Sequence, residues 1–224
     1  MQQVAVIPEY LHETYWWAYV HPKAVRLFER QWLVNLILWG NFAKLRDAAL
    51  AGLGETLPGS TLQVACVYGN FTEHLAKRVP GDASFDVVDV LPIQLANLRG
   101  KLPAAAPVRL LHRDASDLGL ADASYERVVL FFLLHEMPLK VRERTLAEAL
   151  RVLKPGGRLV IVDYHRPAAW HPLAAVMGWI LRTFEPFAMD LWRHEVASWL
   201  PPAARLVAKE TFYGGLYQRL IFTV

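Results

Sequence analysis

From Thr61 onward, short apolar runs and amphipathic stretches take turns along the chain. The runs are rich in β-branched residues and fall at 61–67, 84–90, 107–112, 126–133 and 158–163. Helical patterns lie between them, such as Thr72–Lys77 and Leu139–Leu153. This alternation predicts a parallel sheet covered by helices on both faces, because parallel strands need crossovers and are buried on both sides. Lys154–Pro155–Gly156–Gly157 reads as a helix stop that turns into the next strand. Near the end, 206–211 and 216–224 read as two strands joined around Gly214–Gly215. A terminal hairpin of this kind sets the last strand antiparallel to the rest.

Upstream, residues 1–50 are helical and aromatic in pattern. Around Ala24 to Leu50 the apolar positions Val25, Leu27, Phe28, Trp32, Leu33, Leu36, Ile37 and Trp39 recur at mixed three- and four-residue spacing. That predicts one amphipathic helix with a wide apolar face. The stretch 52–60 carries Gly52, Gly54, Pro58 and Gly59 and reads as a loop. Residues 165–203 break the strand–helix alternation with Trp170, Trp179, Trp192 and Trp199 among several prolines. They read as helical insertions that form a lid or a substrate wall. The chain of 224 residues suits one domain with a full core. Its parts are an N-terminal helical cap (1–52), a core (60–164), the insertion (165–203) and a strand pair (204–224).

Composition narrows the surroundings. The chain is 54% hydrophobic with eight Trp, and its mean hydropathy is +0.20. Yet its longest uncharged apolar stretch, 167–181, is broken by His171 and Pro172, so no membrane-spanning helix is expected. The first residues show no basic region followed by an apolar core, so no secretory signal is expected either. Glu9 and Glu13 argue against a transit peptide. A net charge of +3 is too modest for a nucleic-acid partner, but it is compatible with an anionic membrane surface. The single Cys66 leaves no internal disulfide and no cysteine-rich zinc site. A cytoplasmic protein that visits the membrane fits these limits.

In an open α/β sheet, ligands bind beyond the carboxyl ends of the strands. Three pieces of this chain fall there. One is the loop Tyr68–Gly69–Asn70–Phe71–Thr72. Another is Asp89, near the end of the VVDV strand with Val90 after it; it can accept hydrogen bonds from both hydroxyls of a ribose, or simply cap the strand end. The third is Asp114–Ala115 after VRLLH. There the Asp can accept from an adenine amino group and the Ala leaves room for a ring, or the Asp caps a helix. Cys66 reads as a small buried apolar residue rather than a nucleophile.

Several ordered motifs, VVDVLPIQLANLR, RDASDLGLADASYERVVLFFLLHEMP and LAEALRVLKPGGRLVIVDY, resemble the class I S-adenosylmethionine-dependent methyltransferases. The resemblance implies a Rossmann-like, seven-stranded, mostly parallel sheet with an antiparallel last strand. It also implies that Asp89 holds the ribose and that Asp114 and Ala115 flank the adenine. A nicotinamide dehydrogenase fits less well, because GxGxxG is absent. The loop TLQVACVYGNFT departs from the family pattern. Gln63 stands at the acidic position, Ala65 and Val67 replace two glycines, Tyr68 precedes Gly69, and only Gly69 is kept. Each lost glycine adds a side chain where the backbone would approach the cofactor. Gln63, Val67, Tyr68 and Gly69 are the expected loop contacts to the cofactor.

The N-terminal YLHETYWWAYVHPKAVRLFERQWLVNLILWGN, taken with QVACVYGNFT, is similar to the RquA family of rhodoquinone biosynthesis proteins. The similarity runs through nearly the whole chain. It implies an enzyme that replaces a ring methoxy group of ubiquinone with an amino group. S-adenosylmethionine would be the amino donor and manganese (Mn2+) would assist. Tyr68 and His135 are then the catalytic candidates. His135 and Asp163 are the candidate metal ligands, with Glu136 and His165 beside them; equally, His135 could line the pocket, Glu136 act as a base and Asp163 cap a helix. Tyr15, Trp16, Tyr19 and His21 could hold the flat quinone ring, or pack an ordinary helix that His21–Pro22 begins. The alternatives are a methyltransferase acting on a quinone or related small molecule, and a non-catalytic quinone-binding protein. The Trp-rich insertion and the apolar helix near 31–42, with Arg26, Arg30, Arg182 and Arg193, suit peripheral contact with the inner membrane.

Overall fold

The alternating pattern folds into a seven-stranded sheet in the computed structural model, which describes residues 6–16 and 21–224. The strands are β1 (Ser60–Val64), β2 (Ser84–Asp89), β3 (Val108–His112), β4 (Tyr125–Phe131), β5 (Leu153–Tyr164), β6 (Arg205–Phe212) and β7 (Tyr217–Thr223). Their order is β3-β2-β1-β4-β5-β7-β6. The first five pair in parallel, while β7 runs antiparallel between β5 and β6. The strand order reverses between β1 and β4. A crevice opens at that switch point, beyond the carboxyl ends of the two strands. This is the class I methyltransferase architecture.

Helices cover both faces: α1 (Glu9–Thr14), α2 (Pro22–Phe28), α3 (Gln31–Ile37), α4 (Phe42–Leu53), α5 (Phe71–Ala76), α6 (Pro92–Lys101), α7 (Leu139–Arg151), α8 (Ala174–Phe184) and α9 (Asp190–Arg193). The core is continuous through the sheet, with Val128, Val129, Leu130, Leu159, Val160 and Ile161 all fully buried. Phe71 stacks on Phe131 at 4.4 Å between ring centres. That contact fixes α5 against β4.

Two local expectations change. The single helix expected around Ala24 to Leu50 is three helices. Arg30 is extended between α2 and α3, and Trp39 and Gly40 take positive φ before α4. Those breaks let one apolar stripe wrap a cavity, which a straight helix would span without lining. Lys154–Gly157 does not precede its strand. It loops out inside β5, where the register on β4 jumps between Tyr125 and Arg127. Gly156 has φ 76°, and a Cβ on Gly157 would sit 2.7 Å from the Lys154 carbonyl oxygen.

The insertion is tied down by Arg142, which is fully buried on α7. Its guanidinium donates to the carbonyls of Leu134, Met137 and Phe187 at 3.0, 2.9 and 2.9 Å. It reaches Asp190 Oδ2 at 3.4 Å and lies 4.3 Å from the Trp199 ring centre. Removing one member of a buried charged network leaves the others unpaired, at a cost of about 3–5 kcal/mol. Arg142→Met is therefore expected to lose about that much in urea unfolding and to expose 165–203 to protease first. A loss below about 1 kcal/mol would mean that the clamp is dispensable.

Candidate active site

Two cavities meet at the switch point. The smaller, of ≈ 60 Å³, is lined by Ala65, Cys66, Asp89, Val90, Asp114 and Ala115, with Tyr10 and Leu11 of α1 above. Asp89 ends β2 because its carboxylate caps the backbone there: it accepts from Cys66 N–H at 2.7 Å and from Leu91 N–H at 2.8 Å. Burial lifts its pKa to about 6, against the lowering effect of those two amides. Asp114 Oδ1 accepts from the Ser116 amide and hydroxyl at 2.7 and 2.9 Å. Asp89, Val90, Asp114 and Ala115 thus come together on one small cavity, and their acceptors and small side chain suit a nucleoside.

The rebuilt loop divides its residues. Ala65 keeps φ at 71°, the backbone that the family's glycine would adopt freely. Gln63 is fully buried beneath the loop, donating to Ala65 O at 2.9 Å and accepting from the Thr72 hydroxyl at 3.0 Å. It lines neither cavity. Gly69 has φ 80°, and a Cβ there would lie 2.8 Å from Phe42 Cζ, so no other residue fits. Its N–H donates to Glu29 Oε1 at 3.2 Å and its carbonyl accepts from Lys101 Nζ at 2.9 Å. Lys101 and Glu29 pair at 2.7 Å, and Asn97 donates to Glu29 at 2.6 Å. Glu29, Asn97 and Lys101 were not signalled by the sequence, since nothing local marks a partner so distant along the chain.

Val67 and Tyr68 face the second cavity, of ≈ 360 Å³. Its body is apolar: Phe28, Val34, Leu38, Phe42, Ile180 and Leu181. Tyr68 lies parallel to Phe28 at 5.9 Å, and its hydroxyl accepts from Gln94 at 2.9 Å. Burial raises its pKa against the lowering effect of that hydrogen bond, so it stays protonated. The polar end is built by His135, Glu136, Tyr164 and Glu185. The two cavities share Cys66, Phe132 and Glu136 as walls. Burial also raises the Cys66 thiol well above its usual range, so it is no thiolate nucleophile.

Asp163 sets His135. It is fully buried at the end of β5, and its Oδ1 meets His135 Nδ1 at 2.9 Å. Oδ2 accepts from the Leu134 and His135 amides, and Oδ1 also accepts from the Tyr164 amide. His135 Nε2 points to Glu136 at 3.7 Å. These commitments do not fit a protein-held manganese ion. Among the described residues no group of three or more His, Cys, Asp or Glu side chains is arranged to take a metal. His165 Nδ1 lies 2.8 Å from the Gly215 carbonyl and faces neither cavity.

Of the aromatic N-terminal set, the described Tyr15, Trp16 and His21 line neither cavity. Tyr15 is fully buried with Leu11 and Leu91, beside Glu185. Trp16 is half exposed with its ring against His21. His21 Nδ1 caps α2 by accepting from the Lys23 amide at 3.3 Å. Tyr19 lies outside the described residues. Glu185 and Tyr164 are the site residues that sequence reasoning missed.

Burial opposes a charged His135 ring, but the charge and hydrogen bond of Asp163 outweigh it and lift its pKa to about 9 from 6.5. The folded value lies above the unfolded one. The pair therefore stabilises fully below the unfolded pKa, and that contribution is lost as pH rises through about 9. Ring-proton NMR is expected to show this titration. In Asp163→Asn the value should fall below 6.5, and the alkaline loss of stability in urea should flatten. An unchanged titration would mean that the carboxylate is not the cause.

Comparison with known proteins agrees with this geometry. Residues 61–157 match the family model described as a methyltransferase domain. An uncharacterised methyltransferase of Synechocystis sp. is 29% identical, over 89% of this chain and 90% of that one. A demethylmenaquinone methyltransferase of Beutenbergia cavernae is 31% identical, over 69% and 65% of the two chains. The ubiquinone/menaquinone biosynthesis C-methyltransferase of Bordetella avium is 30% identical, over 66% and 57%. The chain thus spans less than two thirds of either relative named for a quinone. Among solved structures, a SAM-dependent methyltransferase from Aquifex aeolicus superposes with a TM-score of 0.60 at 17% identity, over 91% of this chain and 99% of that one. The N-methyltransferase NodS of Bradyrhizobium japonicum, in complex with S-adenosyl-L-homocysteine, gives 0.57 at 16%, over 81% and 86%. Residues 61–157 are thus similar to a methyltransferase domain, the fold is that of the class I methyltransferases, and over part of its length the chain is similar to methyltransferases named for quinones.

Proposed function

We propose that this protein transfers a group from S-adenosylmethionine to the ring of a prenylated quinone. The observation that carries this reading is the shared wall of the two cavities at Cys66, Phe132 and Glu136. A nucleoside on Asp89, Asp114 and Ala115 would present its reacting end across that wall. The larger cavity offers an apolar body for an isoprenoid tail and a polar end for ring oxygens. S-adenosylmethionine, when bound, supplies an electrophilic methyl group or, in the amination reading, a nitrogen. His135, held cationic near neutral pH by Asp163, is a proton donor at the polar end. Tyr68 offers a protonated hydroxyl on the opposite loop.

The names of the relatives support methyl transfer to the ring. The resemblance to the rhodoquinone proteins and the rebuilt loop support the second reading, exchange of a ubiquinone methoxy group for an amino group. In that loop the amide and carbonyl of Gly69 are both held by the protein's own Glu29 and Lys101. An ammonium and a carboxylate of the chain therefore occupy backbone groups that an amino-acid end could otherwise use, which favours a different placement of that end. The test is incubation of the purified chain with S-adenosylmethionine and short-tail ubiquinone or demethylmenaquinone, each oxidised and reduced, with and without manganese. Mass spectrometry of the quinone decides. Added methyl supports the first reading, methoxy lost with amino gained supports the second, and unmodified quinone in every arm sinks both.

The cavity mouth supports work at a membrane surface, on the cytoplasmic side. No described helix is long and apolar enough to cross a bilayer. Beside the mouth, Trp32 and Leu36 on α3 and Val176 and Trp179 on α8 stand exposed. The two helices are joined where Trp39 Nε1 donates to Met177 Sδ at 3.0 Å. Exposed Arg26, Arg30 and Arg182 flank this patch in the chain. Trp inserted at an interface beside Arg suits an anionic lipid surface. Co-sedimentation with anionic liposomes is expected, and Trp32→Ser with Trp179→Ser should weaken it about tenfold or more at unchanged melting temperature. No binding at any lipid composition would remove the membrane from this account.

A further inference from the structure

Glu185 is the one carboxylate of the larger cavity that comes from the insertion. It follows the last turn of α8 as its C-cap residue and lines the cavity with His135, Glu136, Tyr164 and Tyr68. Its Oε2 is buried with no hydrogen-bond partner, while the Tyr15 hydroxyl lies against the same side chain. A buried carboxylate oxygen without a donor is costly, and chains keep such an atom where a ligand completes it. The Tyr15 hydroxyl already serves this carboxylate, and other donors of the cavity are placed elsewhere. His135 commits Nδ1 to Asp163 and turns Nε2 toward Glu136, and the Tyr68 hydroxyl accepts from Gln94. Phe28, Val34, Leu38 and Leu181 offer no polar hydrogen.

We infer that Glu185 is the anionic anchor of this cavity, taking a hydrogen bond from an O–H or N–H donor of a reactant. Two reactants carry such a donor: the ring hydroxyl of a hydroquinone and the amine of the cofactor's methionine end. An oxidised quinone carries none on its ring oxygens. The inference rests on the reading that this cavity is the reaction chamber. It deepens that reading, because a hydroquinone carbon is nucleophilic and suits methyl transfer, whereas an amine held by a carboxylate suits amination. Burial raises the pKa of Glu185, and the positive charge of His135 opposes the rise and favours the anion.

The experiment is equilibrium binding of four probes to the whole chain and to Glu185→Gln. The probes are short-tail ubiquinol, short-tail ubiquinone, S-adenosylhomocysteine and methylthioadenosine, which lacks the amine. An anionic acceptor replaced by a neutral amide should lose about tenfold in affinity for the donor-bearing probe. Loss confined to ubiquinol assigns the ring hydroxyl. Loss confined to S-adenosylhomocysteine assigns the amine. Equal affinity of both proteins for all four probes overturns the inference, as does loss for ubiquinone or methylthioadenosine. If neither quinone form binds the wild-type chain, the acceptor reading itself falls, and S-adenosylhomocysteine against methylthioadenosine still decides the role of Glu185. Should Glu185→Gln fail to fold, Glu185→Asp withdraws the carboxylate by one methylene and is judged on the same probes.

Discussion

The turn after β4 is held between a buried anion and a buried cation, and the rest of the site depends on it. Asp163 takes the amides of Leu134 and His135 from one side. Arg142 takes the carbonyls of Leu134 and Met137 from the other. Neither charge reaches water, so each is compensated by the other's neighbourhood and by the backbone between them. The clamp does more than fix four residues. Phe132, Leu133, Glu136 and Met137 wall the smaller cavity, and Phe132, His135 and Glu136 wall the larger one. Phe132 itself stands at φ 55°, a conformation that a bulky residue adopts only where its surroundings over-determine it. Arg142 also reaches Phe187, Asp190 and Trp199. The same guanidinium therefore positions the insertion against the turn that carries His135.

On the other side of the crevice the loop after β1 obeys a different economy. The family solution leaves the loop bare, so that the backbone itself meets the cofactor. Here Ala65 holds the left-handed conformation despite its methyl group, at a cost of about 1 kcal/mol. Tyr68 turns a ring into the larger cavity, and only Gly69 survives, where Phe42 leaves no room for a Cβ. The stiffness that results is supplied from outside the loop. Glu29, Asn97 and Lys101 bind its end in a mostly buried ion pair with satisfied partners. A loop built this way is shaped before any ligand arrives, which limits how that ligand's polar end can lie.

Much of the fold was legible in the sequence because burial on both faces writes parallel strands as apolar runs. The position of Asp89 and Asp114 at the smaller cavity was legible for a related reason: a polar residue after such a run stands at the sheet's carboxyl edge. The failures have physical causes of their own. An apolar period near Ala24–Leu50 does not say where a helix breaks; Arg30 carries no breaker signal, and the stop signal of Gly40–Asn41 was outweighed by the period. Gln63 looked like a cofactor contact by position, yet its amide is spent inside the loop on Ala65 and Thr72. Glu185 lies within the stretch read as helical insertions, and nothing in its local sequence singles it out. Its place beside Tyr15 and on the larger cavity comes from tertiary packing, which no local pattern encodes.

The two halves of the crevice differ in origin along the chain, and that difference limits what relatives can teach. The match to the methyltransferase domain covers residues 61–157, which holds Asp89, Asp114 and His135. Most of the larger cavity lies outside it: Phe28, Val34 and Leu38 come from the N-terminal helices, and Ile180, Phe184 and Glu185 from the insertion. The matched stretch therefore carries Asp89, Asp114 and His135, while most of the larger cavity is built from segments that this family model does not describe. Substrate choice follows the side chains that touch the substrate. The shape of the larger cavity is thus a property of α2, α3 and α8 in this chain, with Cys66, Val67 and Tyr68 of the loop after β1 as a further wall.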